Sequence, residues 1–369
     1  MPLGIKQSNN LTKLTVDVWD DKIFFNEKEY LAGYFATEVL NRSPEQNDDL
    51  LGIGGTIMKH LMLLKQSGMI EPQLKQWINL FFDQLKSILP FSLIDFSGER
   101  EMLDLFFTDG FWQEVLEAEP GADDLVIDTL RNFPRIAQGI VNYGTFAINF
   151  EHFFLKRLRK RNETHFAAAL NDFFNETDFM EALREFELTP EESFSPSPRM
   201  EMSYVFARHP KREEETVFVS RVSFRRVVDF YTFDFMNGLH HGHSSCRCEN
   251  CGRYFLVTSG HMPKYCDGIA PQGNGLTCRQ VGAKMHQKEK NTEHPVYRLF
   301  KTRSNTIRKH HERGKINDEI RSEALRLAEA YRDRALIDDT YASDGYANDM
   351  ELDNLYAAAR KRLNKNAVC

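Results

Sequence analysis

Four cysteines carry the clearest chemistry in this chain, spaced Cys248-x2-Cys251-x14-Cys266-x11-Cys278. Thiolates are soft donors, and a close Cys-x2-Cys pair followed by two further cysteines is the spacing of a tetrahedral zinc site. Five of the six cysteines lie between Cys246 and Cys278, a density that scattered core cysteines would not produce. Gly252 follows the close pair, where a tight turn needs a positive φ that costs glycine nothing. Cys278 precedes Arg279-Gln280-Val281-Gly282-Ala283-Lys284, which reads as a helix, and a helix N-terminus favours the thiolate form. The expected cofactor is one structural Zn2+, because four thiolates leave no open position for a substrate. Cys246 reads as a spectator and Cys369 as a free thiol. His241, His243 and His261 are alternative imidazole donors that a complete cysteine set does not require.

Basic residues follow the last cysteine. Residues 241–316 hold 14 Lys and Arg against 5 Asp and Glu, whereas residues 1–240 hold 25 against 38, within a net charge of -7 for the chain. Arg279, Lys284, Lys288, Arg298, Lys301, Arg303, Arg308 and Lys309 are the candidate nucleic-acid contacts, since each phosphate neutralised adds salt-dependent affinity. Gln287, Arg303 and Asn305 can reach base edges. The competing reading is that these charges solvate helix faces or pair with the acidic N-terminal region.

The elements that must position these side chains are legible in outline. Arg253–Val257 has strand propensity, Ser259-Gly260 turns, and Lys264-Tyr265 returns the chain to Cys266. Knuckle, hairpin and then helix is the order of a treble-clef zinc module, with residues 267–277 looping out. Residues 294–312 read as a basic helix ended by Gly314, Asn317 starts another to about residue 337, and a last covers residues 350–363. Upstream, Leu14–Trp19 and Ile23–Phe25 form a hairpin across Asp20-Asp21. Helical periodicity then runs near 31–41, 53–67, 74–88, 100–117, 122–132, 144–160 and 164–186. The expected breaks are Gly68, Pro90, Gly98, Pro120-Gly121 and Asn142–Gly144. A second hairpin pairs 202–207 with 216–222 across a charged loop at 209–215. Ser223 caps a helix that Gly238 ends, with Phe224, Val227, Val228, Tyr231 and Phe235 as its buried stripe. The predicted class is α+β, mainly α-helical. Its organisation is a helical domain at 1–190, a linker at 191–199, a hairpin and helix at 200–240, a zinc module at 241–292 and C-terminal helices at 293–369.

The block Cys-x2-Cys-Gly-Arg-Tyr-Phe, Lys-Tyr-Cys-Asp and Thr-Cys-Arg-Gln-Val-Gly-Ala-Lys resembles an uncharacterised bacterial family, a domain of unknown function with no established activity. It is also partly similar to the CGNR-type zinc finger of bacterial regulators, with Cys278-Arg279-Gln280-Val281-Gly282 standing where that family has its Cys-Gly-Asn-Arg helix. That second resemblance implies DNA binding.

No apolar run suggests a signal peptide, and the longest uncharged stretch, residues 136–150, is too short to span a bilayer. A cytoplasmic, non-enzymatic, zinc-stabilised DNA-binding protein is the expectation, its N-terminal domain sensing a ligand or associating with itself or a partner. A protein-interaction module with the zinc block as scaffold is the alternative. A treble-clef nuclease using His261, His286 and Asn291 is a remote third, since the His-Asn-His order of such enzymes is not legible.

Overall fold

The computed structural model describes residues 7, 9–67, 70–108, 110–111, 114, 117, 127–175, 197–209, 212–271 and 275–366. The linker at 191–199 lies largely outside them, as do Gly68, Pro120-Gly121, Cys369 and parts of the helices expected at 100–117, 122–132 and 164–186. The class is α+β and mainly helical, as expected. Two compact units divide the chain, Met1–Cys266 and Asp267–Cys369.

The first unit is built on one antiparallel sheet. Strands β1 (Leu14–Trp19), β2 (Lys22–Phe25), β3 (Lys28–Leu31), β4 (Glu201–His209) and β5 (Arg212–Phe224) run in the order β3-β2-β1-β5-β4. The two expected hairpins therefore share a sheet through β1 and β5, with Asp17 opposite Arg221. That pair is buried, and the guanidinium donates to both carboxylate oxygens at 2.7 and 2.9 Å. A buried charge needs such a partner, and a one-residue slip would remove it, so the pair pins the register. Residues 212–215, expected in a charged loop, belong to β5 instead.

Around the sheet lie α1 (Tyr34–Glu38), α2 (Pro44–Ser67), α3 (Pro72–Leu85), α4 (Ser97–Phe106), α5 (Asn132–Phe153), α6 (Glu163–Asn175) and α7 (Val227–His240). The helix expected over 31–41 is instead β3, then α1, with Gly33 at φ 89° between them. The break expected at Asn142–Gly144 is absent, because α5 continues through it. Ile136 and Ile140 before it and Phe146 and Phe150 after it are all buried. Burying each contributes about 1.5–3 kcal/mol, more than the ~1 kcal/mol cost of a mid-helix glycine. Gln138 also donates to Asn142 Oδ1 at 2.7 Å, which satisfies a half-buried amide. Gly98 lies in the first turn of α4 and ends nothing.

Two further expectations fail at α7. Ser223 is the β5 residue opposite Thr15, and its hydroxyl lies 3.0 Å from that of Thr15; the helix starts only at Val227. Gly238 lies inside α7, where a Cβ would stand 2.9 Å from Gly33 Cα. Close approach of two backbones, not helix termination, requires glycine there. The predicted stripe of Phe224, Val227, Val228, Tyr231 and Phe235 is buried. Asp234 of α7 accepts from the backbone N–H of Gly33 and Ala36, both at 2.8 Å, and so caps α1.

The second unit contains α8 (Cys278–Glu293), α9 (Pro295–Glu312), α10 (Asp318–Ala335), α11 (Asp339–Asp344), α12 (Tyr346–Asp349) and α13 (Leu352–Asn366). Gly314 (φ 67°) follows α9, and the Asn317 side chain accepts from Ile320 N at 2.9 Å as the N-cap of α10. The short helices α11 and α12 were not among the expected elements, although the Asp338 side chain accepts from Tyr341 N at 3.0 Å as the N-cap of α11. Among the described residues, no helix is long and apolar enough to cross a membrane.

Candidate metal centre and basic cleft

The first Cys-x2-Cys pair sits in a turn between two short paired strands, β6 (Ser244–Arg247) and β7 (Tyr254–Val257). Cys248 N donates to Arg253 O at 2.8 Å and Gly252 N to Cys248 O at 3.0 Å, closing the turn, with Gly252 at φ 75° as its position required. The expected hairpin partner differs. β7 pairs with the strand before the knuckle, and the Lys264-Tyr265 return is held by Glu249 N donating to Lys264 O at 2.9 Å. The return still brings Cys266 to the knuckle, where its N–H donates to Cys248 Sγ at 3.4 Å.

The segment leading to the fourth cysteine folds back on itself. Ile269 bridges Thr277, Ala270 N donates to Leu276 O at 2.9 Å, and Cys278 N to Gly268 O at 2.8 Å. Thr277 and Gln280 exchange hydrogen bonds at 2.9 and 3.2 Å, a capping box that starts α8 at Cys278. The Sγ atoms of Cys248, Cys251, Cys266 and Cys278 all lie within 4.8 Å of one another. A tetrahedral ion with bonds of ~2.3 Å to sulfur sets its ligands about 3.8 Å apart. Cys251 and Cys266 stand 3.7 Å apart. The donor set thus fits one metal ion. Cys248, Cys266 and Cys278 are buried and Cys251 is half-buried, so the cluster is shielded from bulk water.

Two cysteines two positions apart have opposite environments. Burial alone would raise the Cys248 thiol, but the N–H groups of Cys251, Cys266 and Asn250 outweigh it and hold it down at about 6. Burial pushes the Cys246 thiol up to about 11, with Arg161 only partly offsetting it. Cys246 lies outside the four-sulfur group, its sulfur 3.6 Å from Pro263 O. His243 is buried with Nδ1 2.9 Å from Ala32 O, and neither His241 nor His261 joins the cluster.

The basic residues divide. Lys284 and Lys288 of α8 and Lys301 and Arg308 of α9 line one cleft of about 660 Å³ within the second unit. Helical steps of three and four place Tyr297, Lys301, Ser304 and Arg308 on one face. Asn305 and Gln287 join them, as does Arg332 of α10, whose guanidinium lies 4.6 Å from the centre of the Phe300 ring. Among the described residues Glu329 is the one acid lining the cleft. The Ser304 hydroxyl is buried in that wall with no hydrogen-bond partner. Arg279 pairs instead with Asp267 at 3.0 Å, and Arg298, Arg303 and Lys309 do not line the cleft. Arg332 escaped the sequence reading because it comes from a later helix, beyond the basic run. His261 and His286 are exposed, and the Asn291 side chain lies outside the described residues.

No curated protein and no solved structure matches the chain. Residues 195–362, a stretch spanning the four cysteines and the basic helices, match the model of a family of unknown function (DUF6076), so this chain carries a domain that resembles an uncharacterised family.

Proposed function

We propose that this protein is a non-enzymatic, zinc-stabilised nucleic-acid-binding protein that holds a DNA backbone in the cleft of its second unit. Zn2+ at Cys248, Cys251, Cys266 and Cys278 would be structural, in a treble-clef-like module, because four thiolates complete its coordination. The observation that carries the reading is the convergence of Lys284, Lys288, Lys301, Arg308 and Arg332 on one cleft against a single carboxylate among the described residues. Solvated charge runs have no reason to gather cations from three helices, since like charges repel. Phosphates would neutralise them, and Asn305, Gln287 and the unpartnered Ser304 hydroxyl offer hydrogen bonds beside them.

The test is fluorescence anisotropy of a labelled duplex titrated with full-length protein at a series of salt concentrations. Affinity should fall steeply with salt, at about -0.9 in log–log slope for each phosphate contacted. Lys301→Glu with Arg308→Glu should weaken binding at least about tenfold. Absence of binding at 50 mM salt would remove the DNA reading. One observation favours the protein-interaction alternative. Tyr204, Phe206 and Phe218 are 65 %, 55 % and 66 % exposed on the β4–β5 hairpin, and β4 is an edge strand among the described residues. If DNA fails to bind and Phe206→Glu abolishes association with a partner, that alternative stands.

A further inference from the structure

A second cationic cavity lies in the first unit, and neither the metal centre nor the DNA reading uses it. Arg135, Arg199, Arg225 and Arg226 line a space of about 380 Å³, together with the apolar side chains of Ile136 and Val227. The arginines come from three places: the start of α5, the segment before β4, and the junction of β5 with α7. This is not a local charge run. Among the described residues no carboxylate lines the space. Arg226 makes a bidentate pair with buried Asp229, both contacts at 2.6 Å, which holds its guanidinium in place. Arg225 pairs with Glu201 at 3.0 Å, but both side chains are largely exposed, so that pair is easily exchanged for a stronger acceptor. The space also borders Val227, the first residue of α7, whose N-cap receives no side-chain hydrogen bond.

We propose that this cavity binds a small phosphorylated anion carrying at least two negative charges, and that it is the ligand site of the first unit. Guanidinium groups match phosphate oxygens with paired, charge-assisted hydrogen bonds, which lysines at the same places would not reproduce. Four guanidinium groups from three segments line one space, so a dianion can engage several of them at once, displacing the exposed Arg225–Glu201 pair. Ile136 and Val227 give one side of the site an apolar wall against which the organic part of a phosphate ester can lie.

The experiment is isothermal titration of the full-length, metal-loaded protein at constant ionic strength, with inorganic pyrophosphate in one arm and a mononucleotide diphosphate in the other. Saturable binding in either arm is expected, weakened about tenfold or more by Arg199→Ala and by Arg225→Ala. Both residues are exposed, so these variants should fold, and their circular dichroism spectra and metal content should match the parent. Tighter binding of the nucleotide than of pyrophosphate would assign the apolar wall to the organic moiety; equal binding would assign the site to the bare polyphosphate group. No saturable binding of either probe up to millimolar concentration would overturn the proposal, as would binding that both variants leave unchanged. Lys301→Glu with Arg308→Glu should leave this binding intact, so its failure and that of the DNA reading are told apart.

Discussion

Twenty-eight of the 29 phenylalanines lie in residues 1–266, and among the described residues 14 of them are buried there in one cluster; residues 267–369 contain Phe300 alone. The second unit's cluster has 12 buried residues, none of them phenylalanine and four of them alanine. An aromatic side chain removes several times the apolar area of an alanine methyl. The first core also interlocks by ring packing, with Tyr143 stacked on Tyr231 at 5.1 Å and Phe235 edge-on to both Phe146 and Phe150 at 5.6 and 5.7 Å. The second unit relies on local polar devices instead. These are the Thr277–Gln280 capping box, the Asn317 and Asp338 N-caps, and guanidinium groups over the Phe300 and Tyr341 rings. One region is thus held by buried area, while the other draws on capped helix ends and a cysteine cluster at the start of its first helix.

Removing the metal is the harshest test of that contrast. Zinc contributes about 10–16 kcal/mol to the folding of small zinc modules, so chelation or Cys278→Ser should have the largest effect of any perturbation. Hydrogen exchange should show the knuckle amides and the first turns of α8 losing protection, while the β1–β5 ladder keeps its own. Unchanged protection in α8 would break the comparison. The fresh protein should contain about one zinc per chain.

A smaller effect comes from the aromatic core. Phe235→Ala leaves a cavity among Tyr143, Phe146 and Phe150 and should cost about 3–5 kcal/mol. Ala328→Gly in the second core should cost only about 1 kcal/mol, mostly through helix propensity. Denaturant midpoints of the two variants would measure the ratio, and equal losses would contradict the claim that buried area divides the two regions.

A dependence on pH also belongs to the first unit. Burial lifts the Asp234 carboxyl from its ordinary 3.8 to about 7, although the amides of Ala36, Gly33 and Phe35 pull the other way. The folded state therefore holds a proton that the unfolded chain has released between these values. This contribution is full below about 4 and is lost as the pH rises through about 7, by at most ~1.4 kcal/mol per pH unit. Among the described residues the second unit buries no carboxylate, so it should lack this slope. Thermal unfolding followed from pH 5 to 8 at fixed ionic strength, with Asp234→Asn flattening the trend, would check it.

Much of the candidate site was legible in the residues, because its signals are local. The knuckle of the four-cysteine group was readable from the x2 spacing and the following Gly252, since a turn that closes within five residues depends on little else. The start of α10 was readable from Asn317, a cap whose acceptor reaches its own helix. Expectations failed where a glycine or serine was read by its local preference alone. Gly144 and Gly238 stay helical because packing on either side outweighs propensity, and Ser223 is drawn into β5 by its partner Thr15, 208 positions away.

From its residues alone this chain declares four clustered thiolates, a basic segment behind them, and helices and strands wherever hydrophobic periodicity runs without interruption. These follow from spacing, charge and short-range sterics, which do not depend on the rest of the molecule. Tertiary structure alone decided that two hairpins close into one sheet, that Arg332 joins the lysines of α8 and α9, and that four arginines from three segments share a cavity. Each depends on which faces pack together, a sum over many distant contacts that the spacing of neighbouring residues does not encode.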